Sequence, residues 1–137
     1  MTTDFLNTDL SIKDINKMST LALAYIGDAV YELCTRIHVL ETGNLHSLDM
    51  HKASVKLVNA NAQSKGAEII LPFLTEEENS YFKRGRNAKV NSVPKHSSER
   101  EYHMATGLET LFGFLYLSGN KDRVTELYNI IISDNEN

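Results

Sequence analysis

Two carboxylates stand in stretches where carboxylates are rare. Asp28 sits within Ala24-Tyr25-Ile26-Gly27-Asp28-Ala29-Val30, and Glu109 within Thr106-Gly107-Leu108-Glu109-Thr110-Leu111-Phe112-Gly113. Both are set among apolar residues, and an ionised carboxylate is seldom buried without a partner or a cation. Each lies near a glycine, whose missing side chain lets two backbones approach closely. Two such acids on separate helices can share a hard cation. Magnesium suits them, because it prefers oxygen ligands and keeps several of its waters. The competing structural reading has each acid capping or hydrogen-bonding a neighbouring helix end, and the pattern alone leaves both readings open.

Other chemistries find little support. His38, His46, His51, His96 and His103 show no H-E-x-x-H arrangement and no close ligand spacing. One cysteine cannot build the usual structural zinc site. No nucleophile elbow or phosphate-binding glycine loop occurs. Cys34 has no partner for an internal disulfide, which fits a reducing compartment, and its apolar surroundings predict a buried structural thiol.

Positive charge is concentrated in one segment. Lys83, Arg84, Arg86, Lys89, Lys95 and Arg100 are set against a single acid, Glu99, giving a local +5 in a chain of net charge −4. The stretch from Lys83 to Lys89 also holds Gly85 and Asn87 and is expected to form a mobile basic loop. Local charge is what phosphate recognition uses, so the acidic total does not exclude RNA. A solvated surface loop is the plainer alternative.

The elements that must position these groups are helical throughout. The chain has 137 residues, 42% of them hydrophobic and 23% charged. That is one domain's worth of an ordinary globular chain, able to bury a core without covalent staples. No apolar run approaches the roughly 18–20 residues that span a membrane. The start, Met1-Thr2-Thr3-Asp4-Phe5, lacks the basic and apolar regions of a secretion signal. A short helix is expected over 9–17. A long one follows over 19–41, with Ser19 as N-cap, Gly43 beyond its end, and Leu23, Ile26, Val30, Leu33, Ile37 and Leu40 on its inner face. A third covers 48–70 and stops at Pro72. Capping boxes at Thr75/Glu78 and Ser98/Glu101 open helices over 76–83 and 99–117. The second is closed by Ser118-Gly119-Asn120, and a last helix covers 122–132. The fold class is all-α, with no alternating strand pattern and no repeat.

The two acidic motifs together carry a family resemblance. Tyr25-Ile26-Gly27-Asp28-Ala29-Val30-Tyr31-Glu32-Leu33 resembles the signature of the ribonuclease III family, and Leu108-Glu109-Thr110-Leu111-Phe112-Gly113 resembles that family's second acidic helix. Two motifs in the right order are far more specific than either alone. The resemblance spans about residues 18–132 and takes the whole chain, 1–137, as a single catalytic domain. No double-stranded-RNA-binding domain follows it here. That, with Leu21-Ala22-Leu23-Ala24 leading into the first motif, makes the chain similar to the Mini-ribonuclease III subgroup. Two family acids are replaced: Ala24 stands where a glutamate is usual and Thr106 where an aspartate is usual. A reduced acid set leaves the number of metal ions per site open.

The resemblance implies a magnesium-dependent endoribonuclease that cuts double-stranded RNA, with Asp28 and Glu109 as catalytic residues and metal ligands. It further implies a two-fold homodimer paired through the first-motif helix around Tyr25, Ile26 and Tyr31, although core packing would explain those residues equally well. RNA contacts are expected from Lys83, Arg84, Arg86, Asn87, Lys89, Lys95 and Arg100. The implied setting is cytoplasmic maturation of the 23S ribosomal RNA precursor by cutting its stem, and a ribosomal protein is an open partner. A non-catalytic ribonuclease III-like domain that binds RNA or the ribosome is the alternative, favoured by the two missing acids. A helical protein-interaction domain would explain the hydrophobic pattern but neither the acids nor the basic segment.

Overall fold

The computed structural model describes residues 3–43, 46–89 and 98–135. Seven α-helices and no strand occur among them: α1 (Ile12–Asn16), α2 (Thr20–Glu41), α3 (Ser47–Val58), α4 (Ala60–Ile70), α5 (Glu76–Arg86), α6 (Glu99–Leu117) and α7 (Lys121–Asn135), with a 3-10 turn at Leu71–Phe73 before α5. The helix starts are where the caps predict. Ser11, Ser19, Asn59, Thr75 and Ser98 each accept a hydrogen bond from the backbone N–H three residues on. Thr75 with Glu78, and Ser98 with Glu101, close the two expected capping boxes.

Helix α6 is the axis of the fold. From Met104 to Leu117 only Glu109 and Tyr116 escape full burial, as expected of a helix that is apolar nearly all round. Helices α2, α4 and α5 pack against it, and α7 closes the core with Val124, Leu127, Tyr128 and Ile131. Tyr31 sits between Phe112 and Tyr128, with ring centroids 5.3 and 5.1 Å away.

Glycines set how closely these helices approach. A Cβ on Gly27 would lie 1.6 Å from the Glu109 carbonyl oxygen, and one on Gly113 would lie 2.0 Å from that of Leu23. The α2 and α6 backbones therefore touch where the two acids project. Gly85 and Gly107 do the same for α5 and α6, since a Cβ on Gly85 would meet the Thr110 hydroxyl at 2.3 Å. A partly buried ion pair ties α5 to α7: Arg123 Nε donates to Glu78 Oε2 at 2.8 Å, and its Nη2 donates to the Phe73 carbonyl at 2.7 Å.

Several expectations are corrected. The helix expected over 48–70 is two helices, because Asn59 takes extended backbone (ψ 163°) and its side chain caps α4 instead of continuing α3. The first helix is confined to Ile12–Asn16; the Leu10 N–H is instead committed to the Leu117 carbonyl at 2.7 Å. The inner face of α2 is rotated from the expected stripe. Leu23, Ala24, Gly27, Val30, Tyr31, Thr35 and Val39 are buried, while Leu33, Ile37 and Leu40 are about half exposed. Cys34 is half-buried at the edge of the core, where burial pushes its thiol pKa up.

The basic loop is likewise corrected. Lys83, Arg84 and Arg86 belong to the last turn of α5, where cations complement the helix dipole. Gly85, which suggested a loop, is instead the contact point with α6.

Candidate active site

Asp28 lies mid-way along α2 with its side chain exposed, and Glu109 lies mid-way along α6, half-buried. The glycine-mediated crossing of those helices brings the two carboxyl groups within hydrogen-bonding reach of each other. Burial, the negative charge of Asp28 and the hydrogen bond between the two groups push the Glu109 pKa up to about 8, and the Gln63 amide pulls the other way. At neutral pH Glu109 therefore keeps its proton.

The fit to a metal rests on the donors. They are hard oxygens, and one is already destabilised as an anion by its neighbour. Among the described residues no three His, Cys, Asp or Glu converge on a common point, and Asp28 and Glu109 are the candidate donors. Two carboxylates with the remaining positions open to water and phosphate suit magnesium. The positions where the larger family carries acids are filled otherwise: Ala24 is buried, and the Thr106 hydroxyl is turned back to donate to the Tyr102 carbonyl at 2.9 Å.

Gln63, on α4, was not singled out from the sequence. It is 3% exposed, faces Glu109, and its Nε2 closes no hydrogen bond within the protein. The available signal is its register: Gln63 shares a helical stripe with Ala67 and Ile70, both fully buried.

Asp28 is exposed and Glu109 half-buried, so the pair reaches the surface on the α2 side. A groove of about 400 Å³ between α2 and α3 begins one turn further on, at Glu32, and runs to Leu40 and Val55. Its rim carries the Glu32–Arg36 ion pair at 2.7 Å.

The expected RNA-contacting residues are not equivalent. Arg84 is committed to the fold: Nε donates to the Thr20 hydroxyl at 2.8 Å and Nη2 to the Met18 carbonyl at 2.7 Å. Arg100 is paired with Glu68. Lys83, Asn87 and Lys89 are exposed, and Arg86 is half-exposed at the α5 C-terminus with a weak contact to Asn87. Lys95 lies outside the described residues. For the dimer, Tyr31 is a core residue, whereas Tyr25 is 79% exposed and Leu21, Leu33, Ile37 and Leu40 are each about half exposed along α2, Leu40 lining the α2–α3 groove and Ile37 a groove against α7.

Residues 21–120 match the Ribonuclease III domain family. The chain is 40% identical over 130 residues to a Mini-ribonuclease 3 of Clostridium tetani, covering 94% of this chain and 86% of that protein. It is 41% identical to the Mini-ribonuclease 3 of Brevibacillus brevis, over 84% of this chain and 86% of the relative. A crystal structure of a Fusobacterium nucleatum protein superposes with a TM-score of 0.80 at 33% identity, covering 89% of this chain and 98% of that one. The acids brought together at the α2–α6 crossing both lie inside the matched region. The chain belongs to the ribonuclease III family, in its Mini-ribonuclease 3 branch, and is an endoribonuclease.

Proposed function

We propose that this endoribonuclease cuts double-stranded RNA with magnesium held by Asp28 and Glu109. The observation that carries the reading is the pairing of these two carboxyls, one half-buried, at the contact between the two motif helices. Bound magnesium would supply positive charge to the scissile phosphate and acidify water beside it. Glu109, held by the buried α6, orients one side of the site. Asp28, exposed on α2, would accept a proton from the attacking water. The water oxygen bonds to phosphorus, the bond from phosphorus to the 3′ oxygen breaks, and that oxygen takes a proton. The products are a 5′-phosphate and a 3′-hydroxyl.

A duplex has two strands, and one open site reaches one of them. A two-fold pair formed through the outer face of α2 would set a second site against the other strand. The exposed Leu21, Tyr25 and Leu33 support that face. Contact to A-form RNA goes mainly to phosphates and 2′-hydroxyls, and the exposed Lys83, Asn87 and Lys89 and the half-exposed Arg86 are the candidate groups for it, with Lys95 beside them in sequence. The substrate class that fits is the stem of a 23S ribosomal RNA precursor in the cytoplasm. No helix among the described residues is long and apolar enough to cross a membrane.

The test is cleavage of end-labelled duplex RNA with magnesium, wild type beside Asp28→Asn. Magnesium-dependent cutting that the variant loses is the expected result. Binding without cutting by both proteins would instead favour a ribonuclease III-like domain that only binds RNA.

A further inference from the structure

A glutamine amide buried without a partner is a standing cost, because its N–H has given up water for nothing. Gln63 is in that position, 3% exposed with Nε2 unpaired, on the stripe of α4 that packs against α6. A leucine or methionine would fill the same space more cheaply. The group nearest in function is the Glu109 carboxyl, which the amide faces and whose ionised form it favours. A carboxylate accepts where an amide N–H donates, so Glu109 is the acceptor on hand for the buried Nε2.

We propose that Gln63 is a positioning residue for the metal site, its amide N–H anchoring the Glu109 carboxylate in the orientation that binds the cation. This rests on the reading of Asp28 and Glu109 as metal ligands. It assigns α4 a part in a site otherwise built from α2 and α6. It also suits a site with Ala24 and Thr106 at the positions of two family acids, since a neutral donor orients a carboxylate without adding charge. Groups that orient a metal ligand typically change metal affinity 10–100-fold when removed.

The experiment measures Mn²⁺ binding by electron paramagnetic resonance, without RNA, for wild type, Gln63→Met, Gln63→Leu, Asp28→Asn and Glu109→Gln. Thermal unfolding and the KM for duplex RNA are measured beside it. The proposal expects Gln63→Met to weaken Mn²⁺ binding about tenfold, to leave KM for RNA unchanged, and to melt no lower than wild type in metal-free buffer. Gln63→Leu should behave alike, which covers the case where one variant misfolds. Unchanged Mn²⁺ affinity in folded Gln63 variants, with binding lost in Asp28→Asn and Glu109→Gln, overturns the role of Gln63 alone. A raised KM with unchanged Mn²⁺ affinity also overturns it and makes Gln63 an RNA contact. Mn²⁺ binding that neither acid variant weakens overturns the metal-site reading itself, and the proposal with it.

Discussion

Asp28 and Glu109, from helices near opposite ends of the chain, meet as a carboxyl pair because Gly27 and Gly113 let the α2 and α6 backbones touch between them. The candidate site and the packing of this protein therefore share one contact.

Gly27→Ala should break it. The added methyl would have to displace the Glu109 backbone carbonyl, 1.6 Å from the ideal Cβ position, and backbone inside a buried helix yields poorly. The destabilisation should reach or exceed the upper end of the roughly 1–3 kcal/mol of ordinary overpacking. Urea unfolding measures it, and a loss below half a kilocalorie would mean the helices are set further apart.

The proton on Glu109 gives a pH dependence of definite sign. In the folded, metal-free protein Glu109 keeps its proton up to about pH 8, whereas in the unfolded chain a glutamate releases it near pH 4.3. Between those values the folded state binds more protons, so stability falls as pH rises through the window. Glu109→Gln should flatten that decline in a series of thermal melts from pH 5 to 9. Magnesium should stabilise wild type most at the alkaline end, and an equal effect at all pH values would contradict the pairing.

Glu78 works in the opposite sense. Burial raises its pKa, but the hydrogen bonds and charge of Arg123 outweigh that and hold it below the usual carboxylate range. Its contribution is complete above the unfolded value and disappears as pH falls through the folded one. Arg123→Ala should cost about 3 kcal/mol at neutral pH by stranding a buried charge, and less in acid. Melting curves at pH 7 and pH 3.5 would show whether the loss shrinks.

Charge removal near the α5 C-terminus should separate two roles. Lys83→Ala, Arg86→Ala and Lys89→Ala should each weaken duplex RNA binding and reduce the slope of log affinity against log salt by about 1. Arg84→Ala should instead lower the melting temperature, because Arg84 holds the Met18 carbonyl and the Thr20 hydroxyl at the start of α2. A full unit lost from the salt slope in Arg84→Ala, with no change in melting, would reverse that assignment.

The amino-acid sequence by itself determined the helical class, the caps at Ser19, Thr75 and Ser98, and the two candidate acids, Asp28 and Glu109. These are local properties, carried by periodicity, capping chemistry and the oddity of a carboxylate among apolar residues. The tertiary structure decided the rest. Gly85 looked like a loop residue and is a helix contact, because Thr110 and the Thr106 carbonyl on α6 require the missing side chain. Leu33, Ile37 and Leu40 matched a buried stripe as well as the real one did, because α2 has apolar residues on two faces and packing alone selects between them. Arg84 is structural and Gln63 faces Glu109 for the same reason: each depends on a partner distant in sequence. Which of several polar side chains meets a given carboxylate is a matter of how helices cross, and close backbone approach at Gly27 and Gly113 set that crossing here.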